Sequence, residues 1–327
     1  MSELALATFA AATDAHLVGE PRSARFAAFR RTFDAGAELA RLESLGFRFV
    51  ARSDAAFPPL LSAIHDPPPG LFLRGAADVR LLAEPAVAVV GARACSAYGR
   101  QVARALGRDL AAAGLVVVSG LARGIDAEAH RGALDGGGTT VAVLGCGIDR
   151  DYPAANRELA RQVAAAGLVV SEYAPGVEPA PWRFPARNRI VAGLCRATAV
   201  VEARERSGAL ITADFALEEG RDVLAVPGEI TSALSAGTNA LLRLGAVPLT
   251  RGDDVLELYG LEASLRPVPD VEGAAGAVLA AVREGAAGAD ELARATDLAA
   301  GELAAALTEL ELAGLVQVDD GIYRACG

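Results

Sequence analysis

Six nearly uninterrupted apolar runs, rich in valine, leucine and alanine, constrain the fold of this chain more than any other feature. They occupy residues 86–90, 115–118, 139–144, 168–170, 197–201 and 222–226. Continuous apolar runs, as opposed to alternating ones, are typical of parallel strands that are covered on both faces. Amphipathic segments such as 98–113 and 156–166 separate the runs. The order predicts an α/β fold with an extended, Rossmann-like, doubly wound parallel sheet.

Shorter blocks flank the sheet region, and a chain of 327 residues is long enough for two or three domains. The helical periodicity of residues 1–80 predicts an N-terminal helical, SAM-like domain, which precedes the Rossmann-like domain at 81–260. Residues 261–271, with Pro267 and Pro269, are expected to form a linker. Residues 272–327 have the order of a winged helix, with helices expected at 274–283, within 288–294 (capped by Asp290) and at 300–313, and strands at 315–318 and 322–324 that turn at 320–321.

The charge of this last block argues against duplex DNA as its target. Residues 267–327 hold 3 arginines and 11 acidic residues, a net charge of 3 − 11 = −8, and the expected recognition helix carries Glu302, Glu309 and Glu311. A surface of that sign repels phosphate. We therefore expect the winged helix to contact another protein.

Composition excludes several kinds of chemistry. The chain has no lysine, so all 31 cations are arginine, and neither a Schiff base nor a Walker-type lysine is available. The four cysteines (Cys95, Cys146, Cys195, Cys326) and three histidines (His16, His65, His130) are scattered, which indicates no metal site, disulfide framework or cofactor. The N-terminus lacks the basic region of a signal peptide, and no apolar run is long enough for a membrane span. A soluble, cytoplasmic protein is expected.

Small residues and arginines follow the predicted strands. The first strand is followed by Gly91-Ala92-Arg93, and the second by Ser119-Gly120 with Arg123-Gly124 shortly after. The third is followed by Gly145-Cys146-Gly147, and the fifth by Ser207-Gly208. Ligands of a doubly wound sheet bind at the carboxyl ends of its strands, where helix N-termini and their free N–H groups converge. Several such ends in a row favour a track for consecutive phosphates over a single nucleotide pocket.

The stretch from Trp182 to Arg206 reverses the sign of the chain. It holds six arginines and two acidic residues, whereas the whole chain has a formal net charge of −10. Guanidinium groups that hold phosphates, beside rings such as Trp182 and Phe184 that stack on bases, are typical of single-stranded nucleic-acid sites. The alternative is a solvated basic face with both rings in the core.

Signatures of nucleotide enzymes are missing. No Gly-x-Gly-x-x-Gly motif follows the first strand, and the chain has no P-loop. The second strand ends at Ser119, where a dinucleotide-binding protein has an acidic residue that binds the ribose. Asp126 and His130 share one face of a helix, and we expect them to cap the helix or to pack inside the protein. Glu172 and Glu202 follow strands, but neither is accompanied by a nucleophile or a metal partner. We expect no catalytic residues.

Ordered motifs across the middle domain resemble the DNA-processing protein A (DprA, also called Smf) family. They are 91–93, 119–126 with 129–130, 145–149 with 152–153, 171–173, 184–194 and 207–212, and the resemblance extends to 57–61 and 66–68. The family fold has an N-terminal helical domain, an extended Rossmann domain and often a C-terminal winged helix. Its members bind single-stranded DNA, protect it, and load RecA recombinase onto it during natural transformation.

The resemblance implies a homodimer through the Rossmann domain and a set of DNA-binding residues. That set comprises Arg93, Ser119, Gly120, Arg123, Gly124, Trp182, Arg183, Phe184, Arg187, Asn188, Arg189, Ser207 and Gly208. The lack of lysine departs from the family, so arginine must make any contact that lysine makes elsewhere. Which of Trp182 and Phe184 stacks on a base stays open.

Two other functions remain as alternatives. One is a Rossmann-type hydrolase related to nucleoside-monophosphate phosphoribohydrolases, whose Pro-Gly-Gly-x-Gly-Thr segment is broken here into Pro227-Gly228 and Gly237-Thr238. The other is a transcription factor built on the winged helix, which conflicts with the charge of −8.

Overall fold

The computed structural model describes residues 2–13, 24–261, 271–285, 288–319 and 321–325. They form two compact units, one within residues 1–263 and one within 264–327. Most of the expected linker, with Pro267 and Pro269, lies outside the described residues, as do His16, Cys326 and position 320 of the expected turn.

A nine-stranded sheet forms the centre of the first unit, in the order β1-β2-β6-β5-β4-β3-β7-β8-β9. Strands β3 to β9 are parallel, with bounds Ala86–Val90, Val116–Ser119, Thr140–Leu144, Leu168–Ser171, Ala197–Val200, Asp222–Ala225 and Val247–Pro248. The six predicted strands are β3 to β8, and each is confirmed to within one or two residues.

Two antiparallel strands extend the sheet at one side. β1 (Arg48–Ala51) pairs with β2 (Gly70–Arg74), which in turn pairs with β6. These strands lie within the first 80 residues, where the sequence predicted only helices. The expected helices are also present, as α1 (Ser2–Thr13), α2 (Ala24–Thr32), α3 (Ala35–Ser44) and the short α4 (Pro59–Ser62). The domain boundary at residue 80 remains a prediction.

Helices cover both faces of the sheet, which explains why its strands are apolar throughout. Along β3, Ala86, Ala88 and Val90 face the hydrophobic core that includes α8 (Arg183–Gly193) and α9 (Gly208–Glu218). The alternate residues Val87 and Val89 face the core on the other side, with α5 (Ala97–Ala112) and α6 (Ile125–Asp135). The remaining helices of this unit are α7 (Arg157–Ala166), α10 (Ala236–Arg243) and α11 (Asp253–Tyr259).

The order of the strands determines where a ligand can bind. β3 is the first strand of the parallel set, and it lies between β4 on one side and β7 on the other. The chain therefore winds outward in both directions from β3. A sheet of this kind has a crevice at the carboxyl ends of the two strands that flank the reversal, here β3 and β7.

The second unit has the winged-helix order that the sequence predicted. It consists of α12 (Gly273–Arg283), α13 (Ala289–Thr296), α14 (Ala300–Leu312) and a hairpin of β10 (Val316–Asp319) with β11 (Ile322–Ala325). Apolar residues of all three helices form its core. The capping role expected of Asp290 is wrong, because Gly288 is the N-cap residue and Asp290 lies inside the first turn.

The described ranges show neither a membrane-spanning helix nor a cluster of metal ligands. None of the helices there is long and apolar enough to cross a membrane. In the same ranges no three His, Cys, Asp or Glu side chains come together in a way that could hold a metal ion.

Candidate nucleic-acid interface

A cleft of about 610 Å³ opens at the crevice between β3 and β7. Its walls are the loops that follow β3, β4 and β7, together with the first turns of α8 and α9. The cleft brings together these residues of the predicted site: Arg93, Gly120, Phe184, Arg187, Asn188, Ser207 and Gly208. The other predicted residues, Ser119, Arg123, Gly124, Trp182, Arg183 and Arg189, do not line it.

Three exposed arginines give the cleft its positive charge. Arg93 follows β3, whereas Arg204 and Arg206 follow β7. Among the residues that the structure describes, none of these three guanidinium groups forms an ion pair with a carboxylate. They are therefore available to an anionic ligand. Arg204 and Arg206 were noted in the basic stretch but were not among the predicted contacts.

Arg187 belongs to the floor of the cleft, and its guanidinium group is already engaged by the protein. Nη1 donates a hydrogen bond to the carbonyl oxygen of Gly120 at 2.8 Å and another to the carbonyl oxygen of Val143. The carboxylate of Asp126 lies beside it and accepts the N–H groups of Gly120 (3.1 Å) and Ala122 (3.4 Å). Burial lowers the pKa of Arg187 and raises that of Asp126, while the attraction between the two opposes both shifts.

Arg189 is neutralised by carboxylates. Its Nη2 and Nη1 lie 2.6 Å and 2.9 Å from the two carboxylate oxygens of Glu172, and its Nε lies 3.0 Å from Oδ2 of Asp66. The side chains of Arg189 and Glu172 are only 11% and 2% exposed. These carboxylates raise the pKa of Arg189 above its usual value, although burial acts in the opposite direction. The structure thus gives Arg189 and Glu172 a shared role in joining α8 to the end of β6.

Trp182 and Arg183 lie at the start of α8 but outside the cleft. The Arg183 guanidinium lies 4.7 Å from the Trp182 ring centroid and 5.3 Å from that of Tyr173, and its Nη1 donates to the carbonyl oxygen of Glu178. Burial lowers the pKa of Arg183. Trp182 is 42% exposed, so the alternative that placed both aromatic rings in the core is wrong for this residue.

Phe184 forms part of an aromatic and cationic cluster on one wall of the cleft. The Arg93 guanidinium lies over its ring at 5.3 Å from the centroid. The ring of Tyr152 stacks against it, with centroids 5.3 Å apart and an interplanar angle of 25°. Tyr152 also lines the cleft, and the sequence analysis did not place it among the DNA contacts.

The remaining predicted residues shape the loops. The Ser119 hydroxyl donates to the carbonyl oxygen of Val89 at 2.7 Å and is fully buried between strands. Gly124 has φ of 75°, and a Cβ there would lie 2.3 Å from the carbonyl oxygen of Ala92. Arg123 is exposed on the same loop.

Two predicted residues, Ser207 and Asn188, form hydrogen bonds with the N-terminus of α9 at the cleft. The Ser207 hydroxyl oxygen accepts the N–H of Ala209 at 3.3 Å as the cap of that helix. The Asn188 amide donates to the carbonyl oxygen of Gly208 at 3.0 Å, and a Cβ on Gly208 would meet no atom within 4 Å. Open space in front of a helix N-terminus suits the approach of a phosphate.

A carboxylate occupies the position where a dinucleotide-binding fold holds its phosphates. Glu202 accepts hydrogen bonds from the backbone N–H (2.9 Å) and the hydroxyl of Ser96, the cap of α5. Gly99 leaves room for it, because a Cβ there would lie 2.4 Å from the Glu202 carboxyl carbon. In a dinucleotide-binding Rossmann fold, the helix after the first strand binds the pyrophosphate at its N-terminus. Here a protein anion fills that place.

His130 is a packing residue, as predicted. It is fully buried, with Nδ1 2.7 Å from the hydroxyl oxygen of Thr140. That hydroxyl donates its proton to the carbonyl oxygen of Val117 at 2.6 Å, so Nδ1 of His130 is the donor in its own contact. Burial, with help from Arg187 and Arg131, lowers the pKa of His130 to about 3. The imidazole is therefore neutral at pH 7.

These features define an α/β protein with an arginine-lined cleft at the switch point of a Rossmann-like sheet, followed by a winged helix. The chain belongs to the DNA recombination-mediator protein A family, whose model matches residues 48–260. The model of the DprA winged helix domain matches residues 262–321.

Relatives with known names agree with this assignment. The DNA processing protein DprA of Streptococcus pneumoniae is 51% identical over 203 residues, which cover 62% of this chain and 71% of that protein. Protein Smf of Escherichia coli is 36% identical over 320 residues, which cover 92% of this chain and 84% of the relative.

Solved structures agree as well. The X-ray structure of S. pneumoniae DprA has a TM-score of 0.66 and 46% identity, and the match covers 74% of this chain and 83% of that one. A structure of DNA processing protein A from Helicobacter pylori, which concerns the single-stranded DNA binding mode of that protein, has a TM-score of 0.59 and 30% identity. That match covers 66% of this chain and 97% of the H. pylori chain.

Proposed function

We propose that this chain is a non-sequence-specific single-stranded DNA-binding protein, a recombination mediator that protects incoming strands and loads RecA recombinase onto them during natural transformation. We place this activity in the cytoplasm. The observation that carries the proposal is the cleft at the β3–β7 crevice, where Arg93, Arg204 and Arg206 lie on two loops without carboxylate partners in the described part of the chain. The H. pylori relative, described as binding single-stranded DNA, supports it.

The cleft suits a strand better than a single nucleotide. Its cations stand on two loops that follow different strands, and the open N-terminus of α9 at Gly208 offers further N–H groups. Phosphates of consecutive nucleotides need several such positions, and backbone contacts of this kind carry no sequence preference. In this proposal Arg93, Arg204 and Arg206 hold phosphates, while Arg187 and Asn188 shape the surface that they flank.

A non-enzymatic role is supported by the state of the acidic and basic groups near the cleft. Glu202 is held by Ser96, Asp126 by backbone N–H groups beside Arg187, and His130 is buried. A general base must reach a substrate proton. The alternative, a phosphoribohydrolase-like enzyme, also lacks the continuous Pro-Gly-Gly-x-Gly-Thr segment, and Thr238 is 1% exposed. Release of free base from nucleoside monophosphates would favour that alternative.

The partners follow from the same proposal. We propose a homodimer through the Rossmann-like domain and contact with RecA recombinase. The acidic winged helix is proposed to contact a protein, since the net charge of −8 over residues 267–327 repels DNA.

The direct test is a titration of the intact protein with three ligands at two ionic strengths: a labelled single strand, the same sequence as a duplex, and a nucleoside monophosphate. We expect tight binding of the single strand that weakens with salt, weaker binding of the duplex, and no saturable binding of the mononucleotide. Equal affinity for duplex and single strand, or preference for the mononucleotide, would contradict the proposal.

A further inference from the structure

We propose that Tyr152 is the platform on which a base of the bound strand stacks; this inference rests on the proposed single-stranded DNA binding. Tyr152 lines the cleft and is 42% exposed. Its ring stacks against that of Phe184, and the exposed part of the residue adjoins the cleft. Aromatic rings that stack on bases in single-strand sites need an accessible face.

The alternatives named from the sequence fit this role less well. Phe184 already has the Arg93 guanidinium and the Tyr152 ring as neighbours, each 5.3 Å from its centroid. Trp182 is exposed, but it does not line the cleft, and its ring has the Arg183 guanidinium at 4.7 Å. The geometry therefore makes Phe184 the support of the stack and Tyr152 its accessible end.

The contact with Phe184 also couples base stacking to phosphate binding. Arg93 and Tyr152 both contact the same ring, so a guanidinium group and an exposed aromatic surface lie on one wall of the cleft. A nucleotide needs a cation for its phosphate and an aromatic surface for its base. This part of the cleft offers both, whereas Arg204 and Arg206, in the loop after β7, offer cations to the neighbouring phosphates.

The loop that carries Tyr152 is held in place on both sides of the ring. Asp151 pairs with Arg74 of β2 and lies 3.8 Å from Nε of Arg157. Four residues after Tyr152, the buried side chain of Asn156 donates to the carbonyl oxygens of Leu121 (2.9 Å) and Ala122 (3.1 Å). A ring that is fixed before binding loses little conformational freedom when a base stacks on it. Asp151 and Asn156 are thus positioning residues for the platform.

The test compares Tyr152→Ala and Tyr152→Phe with the wild type on two strands of equal length, oligo(dT) and a strand of abasic sites. Tyr98→Ala serves as the matched control, because Tyr98 is 43% exposed but does not line the cleft. We expect Tyr152→Ala to weaken oligo(dT) binding between about 5-fold and 100-fold, with no more than a 2-fold change on the abasic strand. Tyr152→Phe and Tyr98→Ala should bind both strands like the wild type.

Several results would overturn the inference. If Tyr152→Ala binds oligo(dT) as tightly as the wild type does, no base stacks on this ring. If the variant loses equal affinity for both strands, Tyr152 serves only in the packing of its loop. If Tyr152→Ala does not fold, photo-crosslinking of the wild type to a 5-iodouracil strand decides. Attachment at Tyr152 supports the inference, and attachment only elsewhere contradicts it. A wild type that binds neither strand refutes the proposed function itself.

Discussion

The guanidinium of Arg187 donates a hydrogen bond of 2.8 Å to the carbonyl oxygen of Gly120, and this bond fastens the start of α8 to the turn after β4. The arginine comes from the most basic stretch of the chain, yet it is only 4% exposed. Its charge is balanced inside the protein by Asp126, which holds two N–H groups of the same turn. One arginine of this basic stretch therefore shapes the cleft, whereas others in the stretch remain available to bind a ligand.

Gly120→Ala tests whether this arrangement supports the fold. A Cβ at position 120 would lie 2.4 Å from Nη2 of Arg187 and 2.7 Å from Oδ2 of Asp126, so the two charged groups must move apart. We expect a loss of about 1–3 kcal/mol in the free energy of unfolding, measured by urea denaturation. The control is Gly208→Ala, also in the cleft, where a Cβ meets nothing within 4 Å. Equal stability of both variants would show that the turn adapts without cost.

Arg189→Met separates a structural role from direct DNA contact. The substitution leaves Glu172, which is 2% exposed, without the two hydrogen bonds that it accepts from the guanidinium. Removing one partner of a buried pair costs about 3–5 kcal/mol. We therefore expect a large fall in unfolding free energy, which the double variant with Glu172→Leu should partly restore. Native stability with lost single-strand affinity would instead make Arg189 a DNA contact.

His130 predicts an acid-sensitive component of stability. Its pKa is depressed from 6.5 to about 3 by burial, so the unfolded chain binds a proton more readily than the folded one. The contribution is fully present above pH 6.5 and declines as the pH falls toward 3, at a slope of up to about 1.4 kcal/mol per pH unit. Unfolding free energies from pH 7 to pH 4 should fall less for His130→Leu than for the wild type. Parallel curves would contradict the buried neutral imidazole.

Deletion of the winged helix tests the location of the DNA site. All residues that line the cleft fall within positions 90–212, and most charged residues after the first unit are acidic. A chain that ends at residue 263 should bind a single strand within about 3-fold of the full chain, measured by fluorescence anisotropy. A loss of more than about 10-fold would place part of the DNA site in the second unit.

The parallel sheet could be predicted from the sequence because its strands are covered on both faces and read as continuous apolar runs. β1 and β2 could not, because the sequence before residue 80 looks helical and their pairing partners are distant. β1 is only half covered, and β2 follows a proline-rich stretch. The pairing of β2 with β6, which joins both strands to the sheet, depends on contacts across about 100 residues, such as Phe72 with Ser171, which no local pattern reveals.

The sequence could place arginines near the cleft but could not say which of them bind. The charge of Arg189 is balanced by Asp66, 123 positions away, and by Glu172, 17 positions away. Arg204 and Arg206 line the cleft and have no carboxylate partner in the described part of the chain, so their charges remain available. A linear sequence gives the number of charges, whereas availability depends on which carboxylates the fold brings beside them. Tyr152 was missed for the same reason, since its turn reaches the cleft only through tertiary packing.

The salt dependence of single-strand binding tests the central claim most directly. The wild type is compared with the triple variant Arg93→Ala, Arg204→Ala, Arg206→Ala, and with a control of equal charge change at Arg80, Arg161 and Arg243, which do not line the cleft. Each phosphate contact adds about 0.7 to the slope of log affinity against log salt, so the triple variant should lose about 2 in slope and the control almost none. An unchanged slope in the triple variant, or an equal loss in the control, would contradict a strand held by these three arginines.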